Sequence, residues 1–114
     1  MRPEKLYLTD IVQAANSIDK SLKGVDFKEF EQNEMMSSAV LQKLIVIGES
    51  AAHLPKEFTK RFPEIPWLDI IAFRNIAVHE YFAIQWHTIW VTATEEVPFL
   101  QEQIEQILRE EFPD

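Results

Sequence analysis

NEMMSSAVLQKLIVIGESAAHLP, residues 33–55, is the stretch whose reading decides the fold. Val40, Leu44, Ile47, Ala51 and Leu54 recur at steps of three and four, which is one face of an α-helix. Leu41, Ile45, Gly48 and Ala52 make a second stripe beside the first. A helix apolar on two faces belongs at the centre of a bundle rather than on its surface. Asn33 offers a side-chain oxygen to the unpaired N–H groups of the first turn, so the helix is predicted from about Glu34. Pro55 ends it at Leu54.

Toward the N-terminus, Leu8, Ile11, Ala15, Ile18 and Leu22 form another helical stripe, with Asp10, Gln13, Asn16 and Asp19 mostly off it. Gly24 stops that helix. Val25 to Asn33 is predicted as a short connection, anchored to the core by Phe27 and Phe30. Toward the C-terminus, Pro55, Pro63 and Pro66 make residues 55–66 irregular, with room for one short helical turn. Lys56, Lys60 and Arg61 make this the most basic segment; its cations are either a solvated connection or a phosphate contact.

Pro66 suits the first turn of a third long helix. On that helix Trp67, Ile71, Arg74, Val78 and Tyr81 share a stripe, with Ile70, Phe73 and Ala77 beside it and a turn at 82–85. From Trp86 through Ile89, Trp90, Ala93, Val97, Leu100, Ile104 and Leu108 the helical spacing runs to the end, and Pro98 must kink or split it. The acidic tail from Glu95 onward is a solvated face. No β alternation or internal repeat interrupts this pattern. The expected fold is all-α, a four- to five-helix up-and-down bundle in one domain over residues 1–114.

Composition narrows the function. There is no cysteine, so disulfides and thiolate zinc sites are excluded, and a reducing cytoplasm fits. Met1-Arg2-Pro3-Glu4-Lys5 does not open a signal peptide. The longest apolar run, Leu44 to Gly48, falls far short of a membrane span of about 20 residues. Gly24 and Gly48, the only two glycines, build no phosphate-cradling loop, and no histidine pair has metalloprotease spacing, so no cofactor or metal is expected. A net charge of −8 argues against general coating of nucleic acid, so any RNA must meet a local basic spot.

One decapeptide stands apart. Phe73-Arg74-Asn75-Ile76-Ala77-Val78-His79-Glu80-Tyr81-Phe82 sets a permanent cation, an amide, an imidazole and a phenol among apolar residues. Imidazole passes protons near neutrality, and arginine offers a planar fork to phosphate oxygens. Metal-free RNA cleavage needs both: a proton moved at the 2′-hydroxyl or the leaving 5′-oxygen, and charge stabilised on the phosphoryl group. Residues five apart on a helix are rotated by about 140°, so Arg74 and His79 of one chain do not share a face, whereas Asn75 and His79 do. Either the helix ends near Val78 or two chains face one another across a two-fold axis. Each residue also has a plainer reading. Arg74 pairs with Glu49 or Glu80, His79 is a hydrogen-bonded helix-end histidine, Tyr81 is a core aromatic with a wet hydroxyl, and Asn75 is a helix or turn amide.

Arg74, four residues, His79, one residue, Tyr81 resembles the motif of HepT-type HEPN toxins. The resemblance covers nearly the whole chain. Leu6-Tyr7-Leu8-Thr9-Asp10-Ile11 is similar to the family's first helix. The block from Leu44 to Ala51, with its Ile-Gly-Glu signature, is similar to the central helix, and Pro63 to Trp67 leads into the motif block. The resemblance implies a homodimeric, metal-independent endoribonuclease, the toxin of a type VII HepT/MntA pair. Arg74 and His79 would be catalytic, and Asn75 would orient the arginine or the phosphate. Tyr81 would accept AMP from an MntA-like minimal nucleotidyltransferase antitoxin that silences the toxin. The expected substrate is tRNA or mRNA, and the expected location is the cytoplasm. The alternative is a non-catalytic HEPN module that docks a nucleotidyltransferase and its nucleotide.

Overall fold

A computed structural model describes residues 3–113. Met1 and Arg2, which open the N-terminal segment read above, and Asp114 lie outside the described residues. The described chain is helical, and the order follows from its stop signals. Helix α1 spans Pro3–Leu22 and buries Leu8, Ile11, Ala14, Ala15, Ile18 and Leu22. Gly24 then takes a φ of 73°, the left-handed conformation that closes a helix and that a side chain resists.

The expected connection at 25–33 contains a helix of its own, α2, Phe27–Gln32. Its cause is a capping box. The Glu29 N–H donates to the Asp26 carboxylate at 2.9 Å, and the Asp26 N–H donates back to the Glu29 carboxylate at 3.3 Å. Phe30 is the anchor expected of it, fully buried with its ring centroid 5.3 Å from that of Trp90. Phe27 is partly buried and meets His87 edge-on at 5.4 Å.

Helix α3, Glu34–His53, is the predicted central helix. Asn33 caps it by accepting from the Met36 N–H at 3.0 Å. It packs between α1 and the third long helix, α5, Trp67–His79. Between them lies the short α4, Lys56–Thr59, whose Phe58 is buried. The Trp67 indole N–H donates to the Phe62 carbonyl at 3.1 Å and ties this connection to the start of α5.

Helix α6, Trp86–Val91, and helix α7, Val97–Glu111, are joined by a π-helical segment, Thr92–Glu96. Pro98 explains that form. In a regular helix its ring would meet the carbonyl four residues back, at Thr94. The widened turn avoids the collision without ending the run, and the Val97 N–H instead reaches the Thr92 carbonyl five residues back. Ala93 and Val97 stay buried on either side of the disturbance, and α7 returns along α1. The long spans α1, α3, α5 and α6–α7, with short α2 and α4, make the all-α bundle expected of the sequence. No helix among the described residues is long and apolar enough to cross a membrane.

Candidate active site

The centre of the candidate site is the crossing of α3 and α5. Gly48 has no Cβ, and a Cβ built there would collide with the Arg74 Cβ, lie 2.9 Å from its Cγ and 3.3 Å from the Ile70 carbonyl oxygen. The glycine therefore lets α5 settle directly onto α3 at Arg74. The next residue, Glu49, accepts a hydrogen bond from Arg74 Nη1. Of the two carboxylates the sequence allowed as partners, the structure selects Glu49. Arg74 Nε is buried with no acceptor. The guanidinium is thus held on the α3 side of α5, with the arginine side chain 22% and the glutamate side chain 45% exposed.

Residues on the other side of α5 face outward. Helix α5 is regular through His79, where Glu80 leaves helical backbone with φ −133° and ψ 50°. Arg74 and His79 therefore diverge by about 140° around one helix axis. His79 and Asn75 are both exposed on the outward stripe. The His79 ring has no hydrogen bond to a described residue, so the plainer reading of a tied helix-end histidine does not hold.

Tyr81 departs from the stripe predicted for it. Because α5 stops at His79, Tyr81 begins a 3₁₀ turn, Tyr81–Ala83, and stands 56% exposed instead of packing in the core. Val78 is likewise half-exposed. Large apolar side chains surround the exposed Asn75 and His79: Leu68 is 83%, Ile76 45% and Phe82 88% exposed, whereas on α5 only Trp67 and Ala77 are buried. Exposed apolar side chains grouped in this way mark a surface that normally has protein against it.

The remaining candidates fall elsewhere. Arg61 from the basic segment lies over the Phe62 ring at 5.2 Å and pairs with Glu111 at 2.7 Å, joining the 55–66 connection to the end of α7. Replacing it with alanine is expected to cost about 1 kcal/mol or less, because the pair is solvent-exposed. A thermal melt should then fall by no more than roughly 5 °C. Lys56 and Lys60 are exposed, in keeping with a solvated connection. His53 Nδ1 lies 2.7 Å from the Glu49 carbonyl oxygen. Among the described residues no three His, Asp or Glu side chains are grouped to hold a metal ion.

Gly48 is the residue whose role the stripe reading missed. A glycine inside an otherwise strong helix was the available signal, because it costs helix stability unless something needs the space.

Comparison with known proteins bears on the family of the chain. The family model for "Ribonuclease HepT-like" matches residues 11–107. A Methanocaldococcus jannaschii protein named "Putative RNase MJ1380" is 35% identical over 104 residues, 91% of this chain and 95% of its own length. "Putative RNase TTE0752" of Caldanaerobacter subterraneus is 33% identical over 111 residues, 97% of this chain and 99% of that one. "Probable ribonuclease HepT" of Thermococcus cleftensis is 31% identical over 106 residues, 93% of this chain and 96% of that one. No solved structure matches the chain.

Proposed function

The chain belongs to the HepT-like ribonuclease family, and we propose that it is a metal-independent endoribonuclease whose site forms when two copies pair through α5. One observation carries the reading. The exposed face of α5 is apolar and holds Asn75 and His79, while Arg74 is held by Glu49 about 140° away. A second copy related by a two-fold axis would cover that face, and Arg74, which faces α3 in the single chain, would leave Glu49 and swing round the edge of α5 to meet the histidine of the other chain. Two such sites would also gather cations locally on a chain of net charge −8.

The chemistry is transesterification at phosphorus. The ribose 2′-oxygen attacks, the bond to the 5′-oxygen breaks, and a 2′,3′-cyclic phosphate remains. The 2′-hydroxyl proton goes to a neutral His79 imidazole. The same imidazole, now protonated, gives that proton to the leaving 5′-oxygen, so each site needs one His79. Arg74 stabilises charge on the non-bridging oxygens and Asn75 orients the phosphate.

The decisive experiment incubates the purified chain with tRNA and mRNA in the presence of a chelator. Cleavage leaving 2′,3′-cyclic phosphate ends supports the reading. Cleavage abolished by the chelator, or none on any RNA, removes it.

The ion pair of Arg74 with Glu49 favours a second reading, a non-catalytic module in which Arg74 is structural and the bundle docks a nucleotidyltransferase. Nucleotide binding without cleavage would select it.

Tyr81 is the proposed point of control by an MntA-like minimal nucleotidyltransferase antitoxin. Its phenol oxygen would attack the α-phosphorus of ATP, pyrophosphate would leave, and the phenolic proton would pass to solvent. The exposure of Tyr81, two residues beyond His79, supports this. The added phosphate would place negative charge where RNA must enter. Tyr81→Phe is expected to cleave RNA within about twofold of wild type, since the hydroxyl has no proton-transfer task. With the antitoxin and ATP, intact mass should show an AMP unit gained by wild type and none by the variant. An AMP unit on the variant would name another acceptor.

A further inference from the structure

A second surface lies on the opposite side of α5. Ile70 lines it, and Ile70 and His79, nine residues apart, point about 180° from each other. It is a groove of about 850 Å³ between α3, α5 and the α6–α7 arm. Ile70, Phe73 and Leu100 contribute to its apolar lining, and Phe99 stands beside it 65% exposed. Four exposed carboxylates surround it: Glu64, Asp69, Glu95 and Glu96. None of the four is ion-paired with a described residue, and no lysine, arginine or histidine lines the groove. The π-helical segment supplies two of them, so the irregularity caused by Pro98 also shapes this rim.

We propose that this groove seats a cationic amphipathic helix of a partner protein. Apolar side chains at helical spacing would fill the floor along Ile70, Phe73 and Leu100, and flanking lysines or arginines would meet the carboxylates. Charge selects this occupant over the others. RNA would bring phosphates against four carboxylates with no cation to offset them. A second copy docked through the same groove on a two-fold axis would set the four carboxylates of one chain against those of the other. A helix carrying positive charge along both edges of an apolar stripe satisfies floor and rim together. The inference is independent of the nuclease chemistry, because none of these residues belongs to the Arg74–His79 set.

The test uses the full chain and a fluorescein-labelled helical peptide of leucine and lysine, its leucines on one face, read by fluorescence anisotropy. A scrambled peptide of the same composition is the control. The amphipathic peptide is expected to bind at least about tenfold more tightly than the scramble, and more weakly as salt rises. Phe99→Ser changes an exposed side chain and so tests the floor without endangering the core. It and the Glu95→Gln/Glu96→Gln pair should each weaken binding about tenfold. The Glu31→Gln/Glu57→Gln pair, with the same loss of charge on exposed residues of α2 and α4 outside the groove, should change it by less than about twofold.

Equal binding of the two peptides, or equal loss with both charge-removing pairs, would reduce the effect to general acidity and overturn the proposal. Sedimentation showing that Phe99→Ser turns a dimer into a monomer would assign the groove to a second copy. Loss of binding to a single-stranded RNA probe in the same variant would assign it to nucleic acid. Either result also overturns the proposal.

Discussion

Exchanging His79 for alanine is expected to lower kcat/KM for RNA cleavage by about 10²–10⁴-fold, the usual worth of a positioned proton-transfer group. The thermal melt should stay within a degree or two of wild type, because the ring is exposed and has no hydrogen-bond partner among the described residues. Arg74→Ala should lose activity on a similar scale, since it removes a charge that acts on the phosphoryl oxygens. Its partner Glu49 is partly exposed and can hydrate, so the fold should survive. If both variants cleave at the wild-type rate, the assignment is wrong.

Mixing the two inactive variants tests the shared site separately. Half of a random mixture pairs one chain of each kind. In such a pair, one arginine–histidine combination across the axis is intact. About a quarter of wild-type activity should therefore return if one arginine and the opposing histidine suffice. A site contained within one chain would regain nothing.

The second large effect is on stability. Gly48→Val is expected to destabilise the chain by about 3 kcal/mol, the upper end of what overpacking costs. The collision is with the Arg74 Cβ and Cγ, and the Ile70 carbonyl oxygen is in tight contact at 3.3 Å; these atoms lie close to the backbone and cannot swing aside as a side-chain tip can. The two helices would have to part. A valine regains only a few tenths of a kcal/mol over glycine in helix propensity, too little to offset this. Thermal unfolding followed by circular dichroism should drop by roughly 10 °C. Gly48→Ala should fall between the two, because its single methyl meets the same atoms but it gains about 1 kcal/mol of helix propensity. An unchanged melt for the valine variant would mean that the α3–α5 crossing is looser than the structure has it.

Much of this was legible in the residues. The buried stripe of α1, the cap at Asn33 and the stops at Gly24 and Pro55 are where periodicity and capping chemistry place them. Two local signals set elements that apolar spacing alone does not. Asp26 and Glu29, three apart, form the capping box that makes α2 a helix. Pro98 marks an interruption, and its form, a π turn, follows from relieving the collision of the proline ring with the Thr94 carbonyl without ending the helical run. Tyr81 leaves the stripe for a different reason. No glycine or proline marks the end of α5, so the apolar spacing continues past His79 although the backbone turns at Glu80.

The order of residues by itself determined the all-α class, most helix limits, the lack of disulfides and, through the Ile-Gly-Glu and Arg74–His79–Tyr81 blocks, the family. Each of these depends on neighbours within a turn or two along the chain, or on a pattern readable in one dimension. Only the tertiary structure decided that Arg74 goes to Glu49 rather than Glu80, that Gly48 lies beneath it, and that four carboxylates from three segments surround one apolar groove. Those outcomes depend on which helix faces come within contact distance. That is set by the packing of the whole bundle, and no local spacing encodes it.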